Sequence, residues 1–119
     1  MVRIKHRFVL FRVTIPNDSD FKPEISDITK EIGKQLKLSY GDYGSGSIMP
    51  VLKTILWNQE HLLGVFRIPR DWSLRFQSFL PTITKIQDHP VSFHIPHISG
   101  TVDQLQRWLS RSDFSDIVF

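Results

Sequence analysis

Apolar positions in the first third of the chain follow a strand period and then a helix period. Residues 4–15 alternate between apolar and polar side chains and are rich in Ile, Val and Phe, which is typical of a β-strand. The cluster at 17–20 predicts a turn, and Pro23 suits the first position of a helix. The apolar stripe of that helix consists of Ile25, Ile28, Ile32 and Leu36. Gly41 is placed to end it.

The middle of the chain predicts two more strands and a second helix. Residues 47–57 and 62–68 have strand composition, and 58–61 has the length of a hairpin connection. Asp71 is the expected N-cap of the helix that follows, and Pro81 is expected to kink it. The apolar stripe of this helix consists of Trp72, Phe76, Phe79, Leu80 and Ile83.

The last third of the chain predicts a strand over 91–98 and a final helix. Thr101 and Gln104 have the spacing of a capping box, which favours a helix start there. The predicted order is therefore β-α-β-β-α-β-α. Its first six elements describe an α+β, ferredoxin-like or RRM-like sandwich. Two helices cover one sheet face, so the final helix, a partner protein or RNA must cover the other.

Length and composition limit the classes of function. The chain has 119 residues and 40% hydrophobic side chains, which predicts a single packed domain over residues 1–119. It contains no cysteine, which excludes disulfides, thiolate nucleophiles and cysteine-containing zinc sites. No apolar run approaches the length of a membrane span, about 18 residues, so no membrane partner is expected.

Three histidines near the fourth predicted strand are the candidate metal ligands. These are His89, His94 and His97. On an extended strand, residues 94 and 97 face opposite sides of the sheet. We therefore expect this chain to bind no metal and no cofactor. No nucleophile paired with a base is visible either, so no catalytic residue is predicted.

Positive charge is concentrated in two separate segments. The formal net charge is +3, and residues 1–37 carry eight basic and five acidic side chains, whereas 61–85 carry four and one. Arg3, Lys5 and Arg7 precede any acidic residue. Such patches attract a polyanion such as RNA, although a solvated surface has the same composition.

Two further features suit phosphate recognition. Residues 41–47 contain three glycines and two serines, so backbone N–H groups there could form an anion-binding nest. The alternative is a flexible connection after a helix. Arg67, Arg70 and Arg75 can each bind phosphate in a bidentate manner. The alternative for Arg70 is a surface salt bridge with Asp71 that contributes little.

Five short pieces of the chain together resemble a known family. They are residues 2–11, 41–48 and 64–67, the pair Arg70-Asp71, and residues 98–101. In this order and spacing they resemble the Pop-five family of ribonuclease P/MRP protein subunits, across nearly the whole chain. The resemblance implies an RRM-like fold and a nuclear and nucleolar protein that is not itself an enzyme.

The resemblance also implies partners and a role. In these ribonucleoproteins an RNA with bound metal ions cleaves the substrate: ribonuclease P removes the 5′ leader of pre-tRNA, and RNase MRP processes ribosomal RNA precursors. The protein would stabilise the catalytic RNA core beside a TIM-barrel-like subunit of about thirty kilodaltons, the large Pop-one subunit and a related small RRM-like subunit. The expected RNA-binding residues are Arg3, Lys5, Arg7, Tyr43, Gly44, Ser45, Gly46, Ser47, Arg67, Arg70 and Arg75.

Three other interpretations compete with this one. The chain could be the paralogous small ribonuclease P/MRP subunit, which acts mainly through protein contacts. It could be an independent RRM-like RNA binder, which requires aromatic side chains exposed on the sheet. A small phosphatase of the acylphosphatase type is disfavoured because residues 15–22 contain neither Arg nor Gly.

Overall fold

The computed structural model describes residues 5–16 and 21–117 as an antiparallel sheet with helices on both faces. The main sheet contains β1 (His6–Thr14), β2 (Lys53–Asn58), β3 (Leu63–Pro69) and β6 (Ser92–Ser99), in the order β2-β3-β1-β6. A small hairpin is formed by β4 (Lys85–Ile86) and β5 (His89–Pro90). The helices are α1 (Ile25–Ile48), α2 (Ser73–Phe79) and α3 (Val102–Arg111). This arrangement confirms the predicted α+β, ferredoxin-like fold. The predicted turn at 17–20 lies outside the described residues.

The larger core lies between the sheet and the helices α1 and α2. Val9, Phe11 and Val13 point into it from β1, because alternate residues of a strand face opposite sides. The fully or almost fully buried side chains of the predicted α1 stripe are Ile28, Ile32 and Leu36. Phe66 of β3 stacks on Phe11 with 4.2 Å between ring centroids and meets Phe76 of α2 edge-on. Aromatic packing therefore joins the two central strands to α2.

Gly64 on β3 makes room for two aromatic rings. Phe11 and Trp57 stack with 5.8 Å between their ring centroids. A Cβ atom at position 64 would lie 2.7 Å from Cε3 of Trp57 and 2.8 Å from Cζ of Phe11. Glycine inside a strand marks such a close approach.

The second sheet face is covered by α3. Leu10, Leu63 and Val65 point toward it and are buried against Leu105 and Leu109 of the helix. The prediction that a final helix can cover this face is confirmed. This face is therefore not the open, aromatic surface that an independent RRM-like RNA binder requires.

The glycine-rich segment is helical rather than a loop. Gly41 interrupts α1 with φ 73° and ψ −174°, a conformation almost restricted to glycine, and the chain then continues as helix to Ile48. Gly41 does end the first helical segment, as predicted. The predicted loop at 41–47 and the predicted strand start at 47 are wrong, since β2 begins at Lys53. The helical turns bring Ile48, which is fully buried, into the core.

The start and end of α2 also differ from the prediction. Residues Arg70–Trp72 form a 3₁₀ turn, α2 begins at Ser73, and no side chain caps either element. The predicted Asp71 N-cap is therefore wrong. At the other end α2 stops at Phe79 and becomes a 3₁₀ turn that contains Pro81. Proline thus ends the helix instead of kinking a longer one.

The hairpin of β4 and β5 is absent from the sequence prediction. Its two connecting residues, Gln87 and Asp88, have φ values of 50° and 67°. Positive φ at both central positions is the geometry of a type I′ turn, for which Asn-Gly is the usual signal. A Gln-Asp pair does not carry that signal, so the hairpin is not recognisable from the sequence.

The predicted Thr101 cap at the start of α3 is present, and the reciprocal bond of the capping box goes to the N–H of the preceding residue, Gly100. The Thr101 hydroxyl oxygen accepts a hydrogen bond from the Gln104 N–H at 3.1 Å. The Gln104 side-chain oxygen in turn accepts one from the Gly100 N–H at 3.3 Å. These bonds satisfy donors that would otherwise have no partner at the helix start.

Replacing this cap is expected to weaken the protein measurably. Thr101→Ala removes the acceptor for the Gln104 N–H and should lower the free energy of unfolding by about 1 kcal/mol. Thr101→Ser keeps an acceptor and should stay close to the parent protein. Urea titrations at equal m-value measure both. Equal losses in the two variants would show that the threonine methyl group, not the cap, stabilises the helix.

Candidate nucleic-acid interface

The pairing of β1 with β3 joins the two basic segments at one end of the sheet. Arg7 lies opposite Ile68, so the start of β1 meets the end of β3. The Arg70 N–H extends this pairing by donating a hydrogen bond to the Lys5 carbonyl at 2.8 Å. Lys53, at the start of β2, lies opposite Arg67. We call this end of the sheet the basic end and define it by Lys5, Arg7, Lys53, Arg67, Arg70 and Arg75. By strand alternation Arg67 and Lys53 lie on the α3 side of the sheet, whereas Arg7, opposite the buried Ile68, lies on the side of α1 and α2.

Aromatic contacts bring the helices to the same end. The Arg75 guanidinium lies over the Trp72 ring, 4.8 Å from its centroid, in a cation–π contact. The Tyr40 ring meets Trp72 edge-on with 5.7 Å between centroids. Gly41 follows Tyr40 directly, so the glycine-rich segment begins beside the basic end.

The basic end carries positive charge without close compensation. Lys5, Lys53, Arg70 and Arg75 are exposed, and the other two members are half-buried. Within residues 5–16 and 21–117, the one ion pair under 4.0 Å joins Lys37 to Asp42, at 3.4 Å. Arg70 and Asp71 therefore do not form the salt bridge considered as an alternative. An uncompensated cluster of this kind attracts a polyanion.

Arg67 is the most enclosed cation of the basic end. Its Nε atom is buried and has no hydrogen-bond partner among the described residues. Part of its charge is thus held away from bulk water. Electrostatic interactions are stronger in this less polar surrounding than in water. A phosphate near its exposed atoms would feel more of this charge than it would at a fully solvated lysine.

A bulge in β6 changes the orientation of two histidines. His94 pairs with Arg12 and His97 pairs with Leu10, so the register shifts between them and both lie on the α3 side of the sheet. The prediction that they face opposite sides is wrong. His97 stacks on Trp108 with 4.6 Å between centroids, and burial lowers the pKa of His97. Within the described parts of the chain, no three histidines or acids lie close enough to hold a metal ion.

The structure places five of the predicted RNA-binding residues at the same end of the sheet. These five, Lys5, Arg7, Arg67, Arg70 and Arg75, belong to the basic end. The group from Tyr43 to Ser47 lies in the second helical part of α1, which starts beside it. Arg3 lies outside the described residues. Lys53 was missed, because its approach to Arg67 depends on the register between β2 and β3, which nothing in the local sequence specifies.

Comparison with known proteins assigns the chain to a family. Residues 7–110 match the model of the Rpp14/Pop5 family. The chain belongs to the Rpp14/Pop5 family. This range contains most of the basic end and all of the sheet except His6, so the family match rests on the fold core. The predicted resemblance is confirmed.

Two curated yeast proteins of this family are similar to the chain over most of their lengths. It is 26% identical to ribonuclease P/MRP protein subunit POP5 of Schizosaccharomyces pombe, over 89% of this chain and 84% of that protein. It is 23% identical to the protein of the same name in Saccharomyces cerevisiae, over 93% and 76%. Both relatives are Pop5 proteins, which favours Pop5 over the paralogous small subunit.

A solved structure shares the fold of this family member. A chain in the cryo-EM structure of yeast ribonuclease MRP aligns with a TM-score of 0.64 and 17% identity, over 93% of this chain and 90% of that chain. At this level of identity the match shows the fold. Among the described residues, the structure contains no helix that is long and apolar enough to cross a membrane.

Proposed function

We propose that this chain is a non-catalytic RNA-binding subunit of ribonuclease P, and also of RNase MRP, and that it contacts the RNA through the basic end. The observation that carries the proposal is the β1–β3 register. This register places Lys5 beside Arg70. It also places Arg7 opposite Ile68, the neighbour of Arg67 in the chain. A folded RNA crowds phosphates together, and clustered cations offset that repulsion.

Because α3 covers one sheet face, RNA contact is proposed at the basic end rather than on that face. Leu10, Val65 and Leu105 fill the space where an RRM would stack bases. Recognition by the basic end would read phosphate positions and RNA shape, as is usual for folded RNA. The residues from Tyr43 to Ser47 are proposed to extend this contact along the second helical part of α1.

The proposed assembly supplies the chemistry and the remaining partners. The RNA, with its bound metal ions, would cleave pre-tRNA in ribonuclease P and ribosomal RNA precursors in RNase MRP. Exposed apolar side chains suit contacts with protein subunits: Leu38 and Leu74 are 73% and 77% exposed. The proposed protein partners are the TIM-barrel-like subunit, the Pop-one subunit and a related small RRM-like subunit, in the nucleus and nucleolus.

A pair of charge-reversal variants tests the contact surface. The tagged protein is purified from its own cells, the bound RNA is sequenced, and pre-tRNA cleavage is assayed in the eluate. Lys5→Glu with Arg70→Glu should lower recovery of the ribonuclease P RNA at least tenfold, because two neighbouring phosphate contacts become repulsive. The matched control is Lys30→Glu with Lys34→Glu, which makes the same charge change on exposed positions of α1.

The outcomes distinguish two claims: that the chain belongs to the ribonuclease P/MRP particle, and that the basic end is its RNA contact. Full recovery with the control and loss with the basic-end pair supports both parts of the proposal. Equal recovery with both pairs would reject the basic end as the contact. Recovery of protein partners without ribonuclease P or MRP RNA from the parent chain would reject the function.

A further inference from the structure

A groove lies between the edge strand β6 and α3, outside the basic end. Its volume is about 750 Å³, and its lining includes His97, Trp108 and Phe114. This volume falls in the range of ordinary ligand sites, roughly 300–1,000 Å³. None of its lining residues belongs to the RNA-binding set predicted from the sequence.

The groove combines an aromatic wall with cations. His97 and Trp108 stack almost parallel, at 9° between ring planes, and both are half-buried. Arg107 and Arg111 follow each other by one turn on α3, and both are exposed and line the groove. Asp113 also lines it, but no carboxylate among the described residues lies within 4.0 Å of either arginine.

The groove is continuous with the basic end. Gly100 lines the groove at the start of α3. The Arg7 guanidinium lies beside it, since Nη1 is 3.6 Å from the position that a Cβ atom of residue 100 would occupy. A chain of phosphates that leaves the basic end at Arg7 therefore reaches the groove directly.

We propose that this groove binds an unpaired nucleotide of RNA. The His97–Trp108 pair carries the base, and Arg107 and Arg111 contact the neighbouring phosphates. This inference rests on the proposed function and adds to it a single-stranded element next to the folded RNA. A base inside a duplex cannot reach an aromatic wall, whereas an unstacked base can, and such stacking tolerates any base.

Photo-crosslinking with a defined probe tests the groove in the full-length protein. The probe is a short single-stranded oligouridine that carries one 5-iodouridine, and mass spectrometry locates the crosslinked residue. We expect crosslinks at His97 or Trp108. Arg107→Gln with Arg111→Gln should weaken binding of this probe about tenfold, as expected for two lost phosphate contacts near physiological salt.

The matched control changes charge on the same helix but away from the groove. Gln106→Glu with Ser110→Glu lowers the net charge by the same amount at exposed positions outside the groove lining. This pair should leave both affinity and crosslinks close to those of the parent protein. All four positions are exposed, so the variants should unfold at the urea concentration of the parent.

Three results would overturn the proposal. Equal losses in the two pairs would mean that only overall charge matters. Crosslinks confined to residues 5–7 and 67–75 would place single-stranded RNA on the basic end alone. Oligoglutamate of the same charge competing as strongly as oligouridine would assign the groove to an acidic peptide. Crosslinks in the groove that persist in Lys5→Glu with Arg70→Glu would support the groove even if the basic end fails its own test.

Discussion

Gly64→Val is expected to lower the free energy of unfolding by about 3 kcal/mol. The position is fully enclosed by the rings of Phe11 and Trp57, and a Cβ atom would already lie under 3.0 Å from both. Phe11 is fully buried and stacks on Phe66, so it cannot move without disturbing the core. Two further methyl groups make the overlap worse. The measurement is the urea midpoint at unchanged m-value.

A second glycine supplies the control for this substitution. Gly46 is exposed, lies in the second helical part of α1, and has no atom within 4 Å of the position of an added Cβ. Gly46→Ala should leave stability unchanged or raise it by up to about 1 kcal/mol, because alanine favours helix. A parent-like midpoint for Gly64→Val would show that the two rings rearrange freely and that the close packing described here is wrong.

Leu105→Ala is expected to lower the free energy of unfolding by about 3 kcal/mol as well. Leu105 is 1% exposed and packs from α3 against the sheet residues Leu10 and Val65. Truncation leaves a cavity at the centre of the smaller core. Few other side chains of α3 are buried against the sheet. In the Leu105→Ala variant, amide hydrogens of α3 should therefore exchange faster than those of β1 and β3.

A control substitution at an exposed valine of the same helix distinguishes the effect of burial from that of helix propensity. Val102 is 37% exposed, and Val102→Ala should change the free energy of unfolding by less than about 0.5 kcal/mol. If Leu105→Ala matched this small change, α3 would not be a stable part of the fold. The sheet face that carries Leu10, Leu63 and Val65 would then be open to a ligand.

The fold was predictable where apolar periodicity agreed with packing. The stripe from Ile28 to Leu36 and the alternation of β1 lie in the core as their spacing predicts. The glycine-rich segment failed because its composition favours a loop. Burial of Ile48 and the packing of Tyr40 on Trp72 and Phe79 draw this segment back into helix. Such tertiary contacts override local preference, and no local pattern reports them.

The candidate site was predictable in its members but not in its arrangement. Composition identifies Lys5 and Arg70 as cations in two basic segments. Their contact arises from the β1–β3 register, and strand register depends on the whole sheet. The shared face of His94 and His97 depends on a bulge that neither residue signals. The sequence thus identifies which side chains carry the relevant chemistry, whereas only the folded structure shows which of them are neighbours.

The long sequence separation between β1 and β3 couples RNA binding to folding. Lys5 and Arg70 become neighbours only after the central strands pair, so the unfolded chain has no counterpart of the basic end. A ligand that binds only the folded state stabilises it, by about 2.7 kcal/mol when its free concentration is 100 times its Kd. The RNA in the proposed particle would therefore select correctly folded copies and protect them from degradation, whereas misfolded copies would stay unassembled.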